Sequence, residues 1–534
     1  ALLNLTEQQY AYFQGLLFDA DGNSRLWQVE RTKTTTTSNG TVTVETGEIK
    51  YKPIYLTPES QNGSVIGNKD LTTVASDTIV AGRLELLHRA YIDGGAGYNI
   101  LEVDAKGTYA QPTALLNIQE VRVHNMANAY TTSSGGKGYL GNSTYPDLST
   151  DPDAPTYSVL DLSRATELKR LVIAESDIGI GNVDIGALTV VGVRGDATLR
   201  LEGNFTQNVH IDYGAGLKGP LDVELQLGVT DGAKLDFVGN ADALNLASMG
   251  TANTFEIYGG AGTTANLADL NISGTGLLTI IGNLNSWFTN VGPVSIDASL
   301  NSGGVNLRLS DSQIVEFIGS TANDSFSVDD AQIVTIKAGL GNNTFYAEAS
   351  DKVDVTAADG NNTVDASAET VVVALGNGAN QVDVDALSAS VTVGDGKNTV
   401  DISAGVAAVV LGDGDNALVI QSEFMATVDV GNGQNSIEVK ADIIDVTAGT
   451  GSNKIAVTGA DITVTTEGSS NFITVVGTDA DYVSNSALIK IEAGSNSVVQ
   501  LGHETEGADL VAKDGSSISG ENLTVFVTGH ADLR

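Results

Sequence analysis

The chain has 534 residues, with 61 Gly against 8 Pro, no Cys, and 27 basic against 66 acidic side chains, a formal charge of −39. That charge repels nucleic acid and anionic lipid, and no Lys/Arg run offsets it, so neither is an expected partner. Without Cys there are no disulfides or thiolate metal sites, and no stretch approaches the ~18 consecutive apolar residues of a transmembrane segment. Abundant Thr, Val, Asn, Asp and Gly instead describe short strands joined by tight turns.

Residues 5–18 (LTEQQYAYFQGLLF) carry apolar side chains at helical spacing and predict a helix near the start. The first thirty residues lack the basic and apolar regions of a cleaved signal peptide, so export by another route is expected. Immediately after the helix, Asp19, Asp21, Asn23 and Glu30 place oxygen side chains at positions 1, 3, 5 and 12 of an EF-hand-like loop, with Gly moved from position 6 to position 4. These four are candidate calcium ligands, and an ordinary Asx turn is the alternative. The following stretch, TKTTTTSNGTVTVETGEIKYKPIYL, reads as strands broken by the hairpin signal Ser38-Asn39-Gly40. Residues 131–156, rich in Gly, Ser and Pro, read as a linker or a long surface loop.

Beyond residue 157 short apolar alternations such as LTVVGV, LDVELQLG and LLTIIGN follow one another with little between them. From about residue 302 they become a repeat, in which an Asn or Asp stands two residues before an apolar strand start. Asn306, Asp324, Asn343, Asn362, Asn380, Asn398, Asn416, Asn435, Asn453 and Asn471 mark it, at steps of 18 or 19. Within one unit the apolar positions cluster twice, as at Val391 and Val393, then Val400 and Ile402, which predicts two short strands and two turns per coil. The expected fold class is all-β: a parallel β-solenoid of about 18 residues per coil, preceded by a small N-terminal domain with one helix and short strands. The expected divisions are 1–130 (assembly or anchoring), 131–156 (linker), 157–301 (irregular solenoid), 302–475 (regular repeats) and 476–534 (cap and export signal).

The turns that carry the repeat read G-x-G-x-N-x-U, where U is a large apolar residue: Gly376-Asn377-Gly378-Ala379-Asn380, Gly394-Asp395-Gly396-Lys397-Asn398, Gly412-Asp413-Gly414-Asp415-Asn416 and Gly431-Asn432-Gly433-Gln434-Asn435, with an earlier copy at Gly94-Gly95-Ala96-Gly97-Tyr98-Asn99. This resembles the glycine-rich nonapeptide of the RTX family of secreted proteins, whose β-roll holds Ca²⁺ in such turns. The helix followed by Asp21-Gly22-Asn23-Ser24-Arg25-Leu26-Trp27 likewise resembles the N-terminal modules of RTX-type S-layer proteins. The resemblance implies calcium as cofactor, with Asp324, Asp359, Asp395 and Asp413 as the repeat's best ligands. It also implies export by a type I machine reading the C-terminal segment. Two departures stand against it: the ligand position is Asn rather than Asp in nearly every unit, and only one turn per coil carries the motif. A ladder of Asn amides bonded from coil to coil is therefore the competing reading of the same residues.

Catalytic patterns are weak. The five His are scattered and form no H-E-x-x-H, and Gly214-Ala215-Gly216-Leu217-Lys218-Gly219 is followed by strand-like LDVELQL where a dinucleotide fold needs a helix. Paired acids such as Asp329-Asp330 lack the aromatic platforms of a sugar site. The expectation is a non-enzymatic secreted protein that self-assembles at a bacterial surface, as lattice or biofilm filament, with itself as main partner and cell-surface polysaccharide as a further one. A surface adhesin with a solenoid stalk and a β-helix polysaccharide-degrading enzyme are the alternatives.

Overall fold

The computed structural model describes residues 76–81, 84–104, 109–124, 157–174, 187–203, 208–213, 219–229, 234–238, 241, 243–257, 267–284, 288, 293–478, 486–503, 510–512, 516–527 and 531–532, with short paired segments at 37–38, 41–42, 54–55 and 65–66. Residues 5–18 and the loop bearing Asp19, Asp21, Asn23 and Glu30 lie outside the described residues. Thr37–Ser38 pairs antiparallel with Thr41–Val42, the hairpin expected from the turn signal between them. Among the described residues the chain is otherwise a parallel β-solenoid of about 16 turns at about 19 residues per turn, with almost no helix. The chain divides into two compact units, Ala1–Asn266 and Leu267–Arg534.

In the first unit one parallel ladder runs through Thr78–Ala81, Ile100–Asp104, Glu120–His124, Arg170–Ile173, Thr198–Glu202, Leu221–Gln226 and Ala243–Ser248. A second runs through Tyr109–Ala110, Tyr157–Asp161, Ala187–Val191, Asn208–Asp212, Lys234–Val238 and Asn253–Ile257. Glu120 pairs directly with Arg170, and residues 131–156, expected as a linker or surface loop, lie outside the described residues. Strand Leu221–Gln226 follows Gly219, which removes the dinucleotide reading of that glycine motif.

In the second unit the coils tighten. Each of the strands Ser325–Ala338, Thr344–Ala357, Thr363–Leu375, Gln381–Val393, Thr399–Leu411 and Ala417–Val430 is thirteen or fourteen residues long and pairs in parallel with the next. The expected two short strands with two turns are thus one long strand per coil in this region. Its first and second arms each alternate inward and outward, and the corner between them stays extended. Ala386 still pairs with Ala404 at that corner, and Ser388 with Val406, so hydrogen bonding to the neighbouring coil continues around the bend. The two-strand form lies on either side of this region: Val305–Ser310 and Ile314–Ile318 pair separately with its first strand, and Ser436–Lys440 and Ile443–Ala448 pair separately with its last. Ser486–Glu492 and Val498–His503 carry both ladders on into the segment expected to be a cap.

The core follows from the period of two. Val364, Val382, Val400, Leu418, Ile437, Ile455, Ile473 and Val499 stack in one inward column, and all are buried. β-branched side chains suit a column between flat arms, because they fill the pleat with few rotamers to lose. Fully burying each is worth about 1.5–3 kcal/mol. Where the column begins, Phe317 stacks on Phe326 with ring centroids 4.4 Å apart, and meets Phe345 edge-on at 6.3 Å.

Candidate functional site

The glycine-rich turn is the feature repeated most faithfully, and its parts are fixed by how closely the coils approach. Gly396 has φ of +142°, and a Cβ there would sit 2.0 Å from the Gly378 carbonyl oxygen of the preceding coil. A Cβ on Gly394 would meet Asn377 Oδ1 at 2.6 Å. The second glycine therefore supplies a left-handed backbone, and the first leaves room for a side chain arriving from the coil before.

That clearance holds two ladders. In the inner one, the backbone N–H and Nδ2 of each Asn both donate to Oδ1 of the Asn in the next coil: Asn362 to Asn380 (3.0 and 3.2 Å), Asn380 to Asn398 (3.1 and 3.1 Å), Asn398 to Asn416 (3.2 and 2.9 Å), Asn416 to Asn435 (3.1 and 3.1 Å) and Asn435 to Asn453 (3.2 and 2.9 Å). Each Nδ2 also donates into its own turn, as from Asn398 to the Gly394 carbonyl at 3.0 Å. The row ends where Asn471 donates from both nitrogens to Ser497 Oγ. These side chains are buried, so the coil-to-coil amide ladder is what the repeated Asn builds. Asn99, in the early copy of the motif, does the same in the first unit: its Oδ1 accepts from Asp77 N–H at 2.9 Å, one coil back.

The outer ladder runs along the exposed ridge. Asp359 Oδ1 accepts from Asn377 N–H at 2.7 Å, Asn377 Oδ1 from Asp395 N–H at 2.8 Å, Asp395 Oδ1 from Asp413 N–H at 2.8 Å, and Asp413 Oδ1 from Asn432 N–H at 2.7 Å. The structure thus brings Asp359, Asp395 and Asp413 into one row, each with one carboxylate oxygen committed to the next coil's backbone. Asp324 stands apart, at the head of the inner ladder. Its Oδ1 accepts from Val305 N–H and Ser320 Oγ, its Oδ2 from Ser320 N–H, and its own N–H donates to Asn343. Burial pushes its carboxyl above the usual carboxylate range, against the hydrogen bonds from Ser320 and Val305. Among the described residues no group of three or more His, Asp or Glu side chains converges as a metal site.

Asn306 does not belong to the register. It pairs with Ser325 and is exposed, whereas Val305 occupies the ladder position opposite Asp324. The sequence Gly303-Gly304-Val305-Asn306 imitates the motif, but Asn301 closes that turn, its Oδ1 accepting from the N–H groups of Gly303 and Gly304. Of the acid pair, Asp329 is held by Arg308 at 2.8 Å and Asp330 sits at φ +53° in the corner.

Two side-chain groups are not evident from the repeat. In the second unit Asp365, Asp383 and Asp401 lie in register on successive coils, an outward column with Asp385 beside it. Burial, then Asp365, Asp401 and Asp385, raise the Asp383 carboxyl above its usual range. Each stands three residues after a ladder Asn, and that offset is the signal in the sequence. In the first unit Arg122 bridges Glu202 at 2.6 Å and Glu120 at 3.1 Å, while Arg200 reaches Glu224 at 2.7 Å. Tyr98 donates to Glu120 at 3.1 Å, and burial, then the Glu120 charge, push its hydroxyl above its usual range. The partners come from three different strands and the turn that carries Tyr98, so only the alternation of acid and base within Glu120-Val121-Arg122 and Arg200-Leu201-Glu202 hints at them. No described helix is long and apolar enough to cross a membrane.

Compared with known proteins, the chain matches no family model, no curated protein and no solved structure.

Proposed function

We propose that this is a non-enzymatic, secreted structural protein that self-assembles at a bacterial cell surface, as a lattice or a matrix filament, with calcium promoting assembly. The observation that carries the reading is the use made of the turns. In the regular coils the Gly, Asn and Asp of the motif are committed to the neighbouring coil through the inner and outer ladders. Turn residues spent in this way build a continuous scaffold and leave few groups to act on a substrate.

Calcium enters through charge. The column Asp365, Asp383 and Asp401 and the ridge carboxylates of Asp359, Asp395 and Asp413 contribute to a net charge of −39, and surfaces of like charge associate more strongly when cations screen or bridge them. Asp19, Asp21, Asn23 and Glu30 remain the proposed second calcium locus. The Arg–Glu–Tyr face of the first unit favours a second reading, an adhesin whose polysaccharide-binding surface lies there. The assembly reading is tested by pelleting the purified chain across a calcium titration, with magnesium in parallel. Calcium should drive the chain into the pellet and magnesium should do so poorly, because Mg²⁺ demands a tighter octahedral shell. A chain that stays in the supernatant throughout sinks the reading.

A further inference from the structure

We infer that the extended corner of the second unit is a docking face for a second copy of this chain, paired about a two-fold axis. The inference rests on the assembly reading and names one of its contacts.

The step from Asn416 to Asn435 is one residue longer than the steps on either side, and the structure places the surplus at this corner. Ala404 pairs with Ser422 and Val406 with Met425, so Glu423 and Phe424 together stand opposite Gly405 alone. The bulge lifts Phe424 outward, and its side chain is 54% exposed. Two coils back, Leu387 is 65% exposed. Between them Gly405 contributes no side chain, and a Cβ there would lie 2.7 Å from the Leu387 carbonyl oxygen. The result is an open hollow of about 420 Å³, floored by Ala404, Gly405 and Ser422 and walled by Leu387 on one side. Ser422 Oγ fixes the floor by sharing its single proton between the Gly405 and Met425 carbonyls, at 2.8 and 2.9 Å. Val406, Met425 and Ile443, in register on successive coils and all exposed, extend the apolar strip.

A knob and a hollow thus lie about one strand spacing, ~4.8 Å, apart on one face. A groove built for a foreign partner needs the hollow but gives no reason for the knob. A two-fold contact needs both, since whatever one copy inserts the other must receive. Charge allows the same occupant. Two chains of −39 repel over most of their surface, but the hollow's rim carries Glu423 and Lys440, one of each sign, so these two charges add nothing net to that repulsion. Leu387, Val406, Phe424, Met425 and Ile443 are 39–65% exposed, and such exposure over five large apolar side chains is on the order of 400 Å², within the range of the largest patch on an ordinary monomer. Doubled across the axis and widened by its polar rim, it reaches roughly the 1,000 Å² at which specific contacts begin. Such a contact is weak singly and counts when repeated along an assembly.

The test is sedimentation velocity on the full chain at micromolar concentration without calcium, comparing wild type with Phe424→Ser, Leu387→Ser and the control Leu340→Ser, which changes an exposed leucine on the turn ridge. Wild type and control should dimerise with Kd on the order of 1–100 µM, and both corner variants should weaken the dimer at least tenfold with unchanged circular dichroism and melting. A monomeric wild type, or corner variants that dimerise as wild type does, overturns the inference. A wild type that dimerises through this corner yet never pellets in calcium leaves it standing and sinks the assembly reading alone.

Discussion

Asn398 bonds in three directions: its Oδ1 accepts from both nitrogens of Asn380, its Nδ2 donates forward to Asn416, and the same Nδ2 donates into its own turn at Gly394. Its exposure is 0%, so water cannot replace any partner that is lost. Asn398→Leu leaves the buried Asn380 N–H without an acceptor and is expected to destabilise the second unit by about 1–3 kcal/mol, read from the shift in urea midpoint at constant slope. Wild-type unfolding in that variant would mean that the ladder contributes nothing. The asparagine positions were legible in the sequence because the turn glycines repeat at a fixed offset from them. Two residue-level features were hidden. Asn306 looked like a ladder residue because two glycines precede it, and nothing in the spacing of Asp395 and Asp413 showed that one carboxylate oxygen of each accepts from the next coil's backbone.

A single coil is the element on which stability depends, since each touches mainly its neighbours. Thr363–Leu375 and Gln381–Val393 superpose residue for residue through an 18-residue offset. Removing residues 381–398 therefore joins Asn380 to Thr399 in register, and removing only 382–398 shifts the following chain by one. The first deletion should unfold cooperatively at a slightly lower midpoint. The second turns inward valines outward through the junction coil and should yield aggregated or partly unfolded protein. Equal behaviour of the two would contradict the register.

The same coils carry the acidic column, and its pH dependence has a definite sign. Burial and the neighbouring carboxylates hold the Asp383 carboxyl above its unfolded value, and burial does the same for Asp324. A raised carboxyl pKa favours the folded form when protonated, so this stability is fully present below the unfolded value, ~3.9, and is lost as pH rises through the folded one. Asp383→Asn should therefore raise the melting midpoint at pH 7 and leave it nearly unchanged at pH 4; a lowered midpoint at pH 7 would reverse the assignment. At this scale the sequence disclosed one corner and concealed the other. Gly and Asn announce the first, whereas Ala386, Leu387 and Ser388 bend while remaining in the ladder and carry no turn residue. The Arg–Glu face was concealed for a different reason: Arg122 and Glu202 are 80 residues apart, and only the coil spacing brings them together.

Across the whole chain the dominant quantities are a charge of −39 and a hydrogen-bonded scaffold with few uncommitted turn groups. The first keeps copies apart and the second gives them identical, repeated surfaces, so association is expected to depend on what neutralises the charge. Fold class was readable from period and composition, because a solenoid writes its repeat into the sequence at every coil. Function is less directly written, since the proposed action lies between copies of the chain. The decisive measurement is negative-stain electron microscopy of the purified full chain in calcium and again after EGTA. Ordered sheets or fibres in calcium that disperse in EGTA are expected, and single particles under both conditions would contradict self-assembly.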